Sequence, residues 1–536
     1  MSHVRTVGVH PPTELERRAV LFATLREAFP AIRFEGRDAD QLGGLDALVE
    51  LGGQEVAAAA ATAGAPALAM LGQEPAAGRP GTVELGETEA LDRRLRGQSL
   101  SDRHLTGAVA LPPAGAGETL ARVDGKPVWA RQGHLDVTAV APAELGDEEP
   151  LRLRLCGERC LALVPLVELL RRLDGRGGWR PPPLRAAFLL DDPNLHWPSY
   201  GFVNLPRLAD HADLHGYHLA LAMVPLDAWF AHPRAAALLR QRRSLSLLVH
   251  GNDHLAQELG RADAGAAVAL AAQAQRRVAA FERRYGVPVS AVMAPPHEAC
   301  SEAVADALSR TGFEAITMTR PFPWLTRSPG QWLPADAEQG RLTGWRPADL
   351  TPTGLPVISR HPLSGGGHSP SEVVLRAYLD QPLILYGHQE DLADGLEILA
   401  ERAAEVSALG DAKWGSLGEI AAAGFEQRRE GELLRIRPYG RRLAIDVPEG
   451  VSAVVVEPPP GSRAADSVVG AGRAAAFGEP WPASPGQRLE LQLRAADALS
   501  PAAVATPRRR LWPVARRVAA EARDRAIPAA RSVARR

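Results

Sequence analysis

Seven short apolar runs between Ala186 and Tyr386 constrain this chain more than any other feature. They are Ala186–Leu190, His218–Val224, Leu245–Val249, Val289–Met293, Ala315–Met318, Pro356–Ile358 and Leu383–Tyr386. Helical stretches lie between most of them; Gly260–Tyr285 is the longest, and Cys300–Arg310 and Pro370–Leu379 are others. Short apolar runs of this kind read as strands. Strands that alternate with helices pair in parallel, and repeated right-handed crossovers can close the sheet into a barrel. In such barrels the chemistry sits at the C-terminal ends of the strands. The residues just after each run are therefore the ones to inspect.

Four of those ends are ionisable. The first run delivers Asp191-Asp192, two carboxylates that are costly to bury unless a metal or donors meet them. Asp-Asp-Pro-Asn also suits a turn or a helix N-cap. The third delivers His250-Gly-Asn-Asp-His254. Imidazoles at i and i+4 share one face of a helical turn, so both can reach one cation. The plain alternative is a pair of surface histidines. The fourth delivers Ala294-Pro-Pro-His297-Glu298, and the seventh Gly387-His388-Gln389-Glu390-Asp391. Each His alone would be ordinary; four strand ends of one barrel all carrying Asp or His are not.

The order Asp-Asp, His-x-x-x-His, a Pro-containing strand end and a late His resembles the polysaccharide deacetylase superfamily. Those proteins are metal-dependent carbohydrate esterases on a distorted (β/α)7 barrel. The resemblance spans about residues 185–425. It implies that Asp191 is the catalytic base and His388 the catalytic acid. It implies that Asp192, His250 and His254 hold a divalent metal: zinc first, with cobalt, nickel or manganese as alternatives. Trp414-Gly-Ser-Leu-Gly-Glu-Ile420 resembles the segment that often closes such domains. Three positions depart from the family's pattern. Leu189-Leu190 stands where Thr-Phe is usual, Gly251 follows the first motif His, and no Arg lies near Met293 to orient the base.

One carboxylate and two imidazoles leave open positions on a cation for water and substrate. On this reading Asp191 takes the water's proton and His388 protonates the departing amine, a role an imidazole can fill. Asn194, Trp197, Tyr200, His297 and Glu298 stand where a sugar could be gripped; Trp and Tyr there are as often core residues. Two other readings compete. One is a non-catalytic, metal-retaining carbohydrate-binding or scaffold protein. The other is a glycoside hydrolase with Glu298 as nucleophile beside Asp191 or Asp192, which needs two carboxyls at a set separation and no metal.

Around the barrel the chain divides further. Residues 1–173 read as a flavodoxin-like or amidotransferase-like α/β layer. Strands are expected at Ile32–Phe34, Leu45–Leu51, Pro66–Gly72, Thr119–Ala130 and Leu135–Ala141, with a hairpin turn at Asp124-Gly125. Helices are expected at Val20–Phe29 and Leu161–Leu173. The strand ending Asp124-Gly-Lys-Pro-Val-Trp129 resembles late strands of class I amidotransferase-like domains, but no nucleophile elbow carries a Cys, so no activity follows. Residues 174–184, rich in Gly and Pro, suit a linker. Residues 426–500 read as a small β-sandwich, from alternating runs such as Leu433–Ile436, Leu443–Val447, Val451–Val456 and Leu489–Leu493. Residues 501–536 read as a basic amphipathic or disordered tail. From Arg508 to Arg536 ten arginines face only Glu521 and Asp524, a net charge of +8. Such a helix can lie on an anionic membrane surface.

Overall the formal charge is −2, so nucleic acid is not an expected partner, and a carbohydrate is. The three cysteines, Cys156, Cys160 and Cys300, form no disulfide framework or zinc ribbon and suit buried thiols in a reducing compartment. Met1–Arg18 lacks a signal peptide's apolar stretch, and no run of about 20 apolar residues spans a membrane. The location expected is cytoplasmic, with peripheral contact to the inner membrane face through the tail. The sequence does not set the oligomeric state.

Overall fold

The structure is a computed structural model. It describes residues 4–29, 31–73, 80–102, 105, 111, 117–146, 151–157, 159–319, 348–351, 353–459, 462–463, 465–507 and 511–534, without the side chains of 27, 73, 152, 153, 157, 176, 177, 200 and 527–534. The chain forms two compact units: residues 1–180 with 369–379, and the rest of the described chain. The helix Pro370–Tyr378, expected within the barrel segment, thus groups with the first unit. Its Tyr378 hydroxyl donates to buried Glu168 at 2.7 Å.

The first unit is built on one nine-stranded sheet: β1 (Arg5–His10), β2 (Ile32–Gly36), β3 (Ala47–Leu51), β4 (Ala67–Gln73), β5 (Gly81–Leu85), β6 (Ser99–Asp102), β7 (Glu118–Val123), β8 (Lys126–Gln132) and β9 (Leu135–Ala141). The spatial order is β2-β1-β3-β4-β9-β8-β7-β5-β6. The first five are parallel, and the apolar runs of β3 and β4 are buried as inner parallel strands must be. From β9 onward the pairing is antiparallel. Asp124 and Gly125 turn the β7–β8 hairpin with φ of 49° and 72°. All three cysteines are buried and none is in a disulfide.

The second unit begins with the barrel. Its strands are β10 (Arg185–Asp191), β13 (Leu219–Met223), β14 (Leu245–His250), β15 (Val289–Ala294), β16 (Ala315–Met318), β18 (Pro356–Pro362) and β19 (Leu383–Gly387). Each expected run is a strand. All are parallel, and β10 bonds both β19 and β13, so seven strands close. A two-residue hairpin, β11 (Ser199–Tyr200) with β12 (Val203–Asn204), decorates one mouth. Short β17 (Asp349–Leu350) pairs antiparallel with β18. The seam beside β10 is shared: Phe188–Asp191 pair with β13, whereas Arg185 and Ala186 pair with β20 (Lys413–Trp414). That insertion is the barrel's distortion. Small and branched side chains fill the interior, among them Ala187, Leu189, Ala220, Leu248, Ile358 and Ile384.

Two four-stranded sheets follow: β21 (Phe425–Glu430), β22 (Leu433–Pro438), β24 (Ala453–Val456) and β27 (Pro480–Pro482) in one; β23 (Arg442–Asp446), β25 (Ser467–Gly470), β26 (Arg473–Ala475) and β28 (Arg488–Arg494) in the other. Inward residues such as Ile436, Leu443, Val454, Val468, Trp481 and Leu491 make one core between them. The tail forms a helix, Leu511–Ala534. Among the described residues, no helix is long and apolar enough to cross a membrane.

Candidate metal centre

Asp191 is the last residue of β10 and is buried. Asp192 follows with φ 69°, which turns its side chain across the strand ends. His250 ends β14. Its Nδ1 lies 2.9 Å from the Ala294 carbonyl at the end of β15. A carbonyl can only accept, so Nδ1 carries the proton and Nε2 presents its lone pair. His250, His254 and Asp192 converge: Asp192 Oδ1 is 2.9 Å from His254 Nε2 and 3.6 Å from His250 Nε2. One ligand atom from each of the three lies within 4.8 Å of the others. Oδ1 is buried yet accepts no hydrogen bond. A buried, unanswered carboxylate oxygen facing two imidazole nitrogens fits a divalent cation.

The electrostatics agree. Burial alone would raise the Asp192 pKa, but His254, His250 and Arg517 outweigh it and hold the carboxyl well below the usual range. Burial pushes His250 down against the pull of Asp191 and Asp192, which favours the neutral, ligating imidazole.

The helical-turn argument for His250 and His254 is corrected by the structure. Residues 251–254 are a loop, and His254 itself has φ 55°. Half-buried Glu258 gathers this loop, accepting backbone N–H groups from Asn252 at 2.8 Å, Asp253 at 3.0 Å and His254 at 3.0 Å. Gly251 explains its own departure from the usual motif. Its φ is 63°, and a Cβ there would stand 2.4 Å from Glu258 Oε1 and 2.5 Å from Pro296 Cγ. Asp192, His254, His297 and Glu298 all hold left-handed φ values at this mouth, a clustering of strain typical of functional sites.

No arginine lies near Met293, but one from β18 meets Asp191. Arg360 Nη1 lies 3.0 and 2.8 Å from the two carboxylate oxygens of Asp191. Arg360 is itself buried, 4.1 Å over the Tyr386 ring, with Nε donating to Glu298 Oε1 at 2.8 Å. Burial works against its charge, and Asp191 and Glu298 more than restore it. Glu298 accepts further bonds from Thr319, at 2.6 Å from N and 3.0 Å from Oγ1. Its carboxylate is thus engaged in positioning Arg360. The signal was present in Ser359-Arg360-His361, polar residues that continue a buried strand.

Asp191, Asp192, His254 and His388 line one cavity of about 420 Å³. His388 is exposed at its rim, just past β19, with its backbone N–H on Asp391 Oδ2 at 2.7 Å. His297 is exposed, its ring 5.2 Å from that of His254. Asn194 is buried, accepts the His196 N–H at 3.2 Å, and lines a neighbouring cavity of about 490 Å³. Trp197 is half-exposed and stacks near His232. The Tyr200 side chain lies outside the described residues. The C-terminal helix was not expected here: its Arg516, Arg517 and Asp524 complete the wall of the first cavity.

No protein-family model matches the chain, and no curated protein matches it. Solved structures do. Agd3, a carbohydrate deacetylase, aligns over 91% of this chain and 98% of its own at 8% identity and a TM-score of 0.42. The T48 deacetylase with substrate aligns over 46% of this chain and 94% of its own, at 11% identity and 0.28. A family 4 carbohydrate esterase pseudoenzyme from Bacillus anthracis covers 45% and 66%, at 12% identity and 0.28. The barrel expected from the resemblance is the barrel found. The chain's own side chains carry the functional reading.

Proposed function

We propose that this chain is a metal-dependent hydrolase of the polysaccharide deacetylase type, removing an N-acetyl or O-acyl group from a carbohydrate. One observation carries the reading. A buried carboxylate oxygen without a hydrogen bond meets two imidazole nitrogens, beside a second carboxylate held by an arginine. Asp192, His250 and His254 would hold the metal, with zinc the first choice. A divalent ion there supplies Lewis acidity toward water and the acyl oxygen. Asp191, aimed by Arg360, accepts the proton of the attacking water. His388, at the cavity rim, donates a proton to the nitrogen or oxygen that departs as the acyl bond breaks. His297, Trp197, Asn194 and Tyr200 are the residues proposed to meet the sugar.

The test is acetate release from N-acetylated oligosaccharides by metal-loaded protein. Asp191→Asn is expected to keep its metal and lose release by roughly 10²–10⁴-fold, the usual worth of a general base. Release unchanged in that variant would remove Asp191 from the mechanism. The scaffold reading has one observation in its favour, the chain's own helix beside the cavity. It predicts glycan binding with no release from either protein. The glycosidase reading is poorly served, because Arg360 and Thr319 engage the Glu298 carboxylate.

A further inference from the structure

The C-terminal helix sits on the barrel the wrong way round for an ordinary amphipathic helix. Its polar side faces the barrel. Arg516 donates to the His254 carbonyl, Arg517 Nε donates to Asp227 Oδ2 at 2.9 Å, and Glu521 lies 3.1 Å from His196 Nδ1. Asp524 is buried. Its apolar side faces solvent, with Leu511 87%, Trp512 70% and Val518 62% exposed. Trp229, 66% exposed, lines the same cavity as Leu511, Val514 and Val518. An apolar helix face left in water beside a second exposed Trp marks an interaction surface.

The same helix guards the metal centre. Arg517 Nη1 is 3.6 Å from Asp192 Oδ1, the oxygen that accepts no hydrogen bond. A guanidinium there partly answers the charge that a metal would answer. The helix is thus held on the barrel mainly by polar contacts, the Arg517–Asp227 pair among them, while Leu511, Trp512 and Val518 stay largely in water.

We propose that residues 511–534 form a releasable lid whose partner is an anionic lipid surface: the bilayer takes the apolar face and its flanking arginines, and the metal centre is uncovered. Charge chooses the partner. Ten arginines against two acids from residue 508 onward complement anionic headgroups. Trp512 is a side chain suited to the headgroup boundary. What the lid covers rests on the deacetylase reading, but lipid binding does not.

The test is co-sedimentation of the full chain with phosphatidylcholine vesicles, with and without phosphatidylglycerol. Hydrogen–deuterium exchange is followed on the same samples. We expect about tenfold more pelleted protein on the anionic vesicles, falling with added salt. Exchange should rise in the segments around Asp192 and His254 when those vesicles are present. Trp512→Asp with Val518→Asp changes exposed positions only and should abolish pelleting while metal content stays unchanged. Equal pelleting on both vesicle types would overturn the proposal. So would pelleting that survives the double substitution, or a dimer that the substitution breaks, which would put a second copy on this face. Pelleting without a rise in exchange would overturn the lid. Failure of acetate release with intact vesicle binding would count against the deacetylase reading alone.

Discussion

Two carboxylates, one buried and one half-buried, show what separates a structural charge from a candidate site. Asp136, on β9 of the first unit, is 1% exposed. Its cross-strand partner Arg131 donates to Oδ1 at 2.5 Å and to Oδ2 at 2.9 Å, and Arg172 donates to Oδ2 at 2.8 Å. Both oxygens that burial stripped of water are met by fixed donors, and two arginines answer the charge. Asp192 instead follows a barrel strand and is half-buried; its buried Oδ1 takes no hydrogen bond and faces two imidazoles. Burial alone therefore does not mark a candidate site; a carboxylate oxygen turned toward ligating nitrogens does.

The sharpest way to break that contrast is to neutralise each carboxylate without changing its shape. Asp192→Asn is expected to lower metal affinity at least about 100-fold with little change in the denaturation midpoint. Asp136→Asn is expected to keep the metal and cost about 2–3 kcal/mol, since it strands Arg131, while Arg172 still reaches water. Metal content and urea melts on both variants check the pair; the same profile from both would erase the distinction. Next in size is Arg360→Met. Metal content should stay near wild type, while the rate of acetate release falls roughly 10²-fold through a misaimed Asp191. A fall in metal content instead would make Arg360 part of the metal site's support. Smallest is Gly251→Ala. A left-handed position costs about 1–3 kcal/mol once a Cβ is added, so metal affinity should drop about tenfold by titration with cobalt.

How much of this was legible in the sequence follows from which features are local. The seven strands are short apolar runs, and their ends are read directly, which is how Asp191, Asp192, His250, His254 and His388 become candidates. Strand β21, Phe425-Glu-Gln-Arg-Arg-Glu430, was not, because its charged residues hide its pairing with β22. The site's supports are harder still. Arg360 reaches Asp191 across 169 residues of chain, and no spacing rule joins them. Glu258 works through backbone amides, which leave no pattern in side chains. The helical geometry assumed for His254 failed for the same reason: Gly251 and Glu258 shape a loop that brings both imidazoles to Asp192 by another route. The tail's periodicity showed an amphipathic helix, but which face would meet the protein is decided by Asp227, His196 and the His254 carbonyl, all supplied by distant strand ends.

The central claim is that Asp192, His250 and His254 hold a divalent metal. It is tested most directly by elemental analysis of the purified full chain, before and after reconstitution, beside the His250→Ala/His254→Ala variant. About one equivalent per chain in the wild type, lost in the double variant, is the expected result. Background metal in both proteins after reconstitution would contradict it.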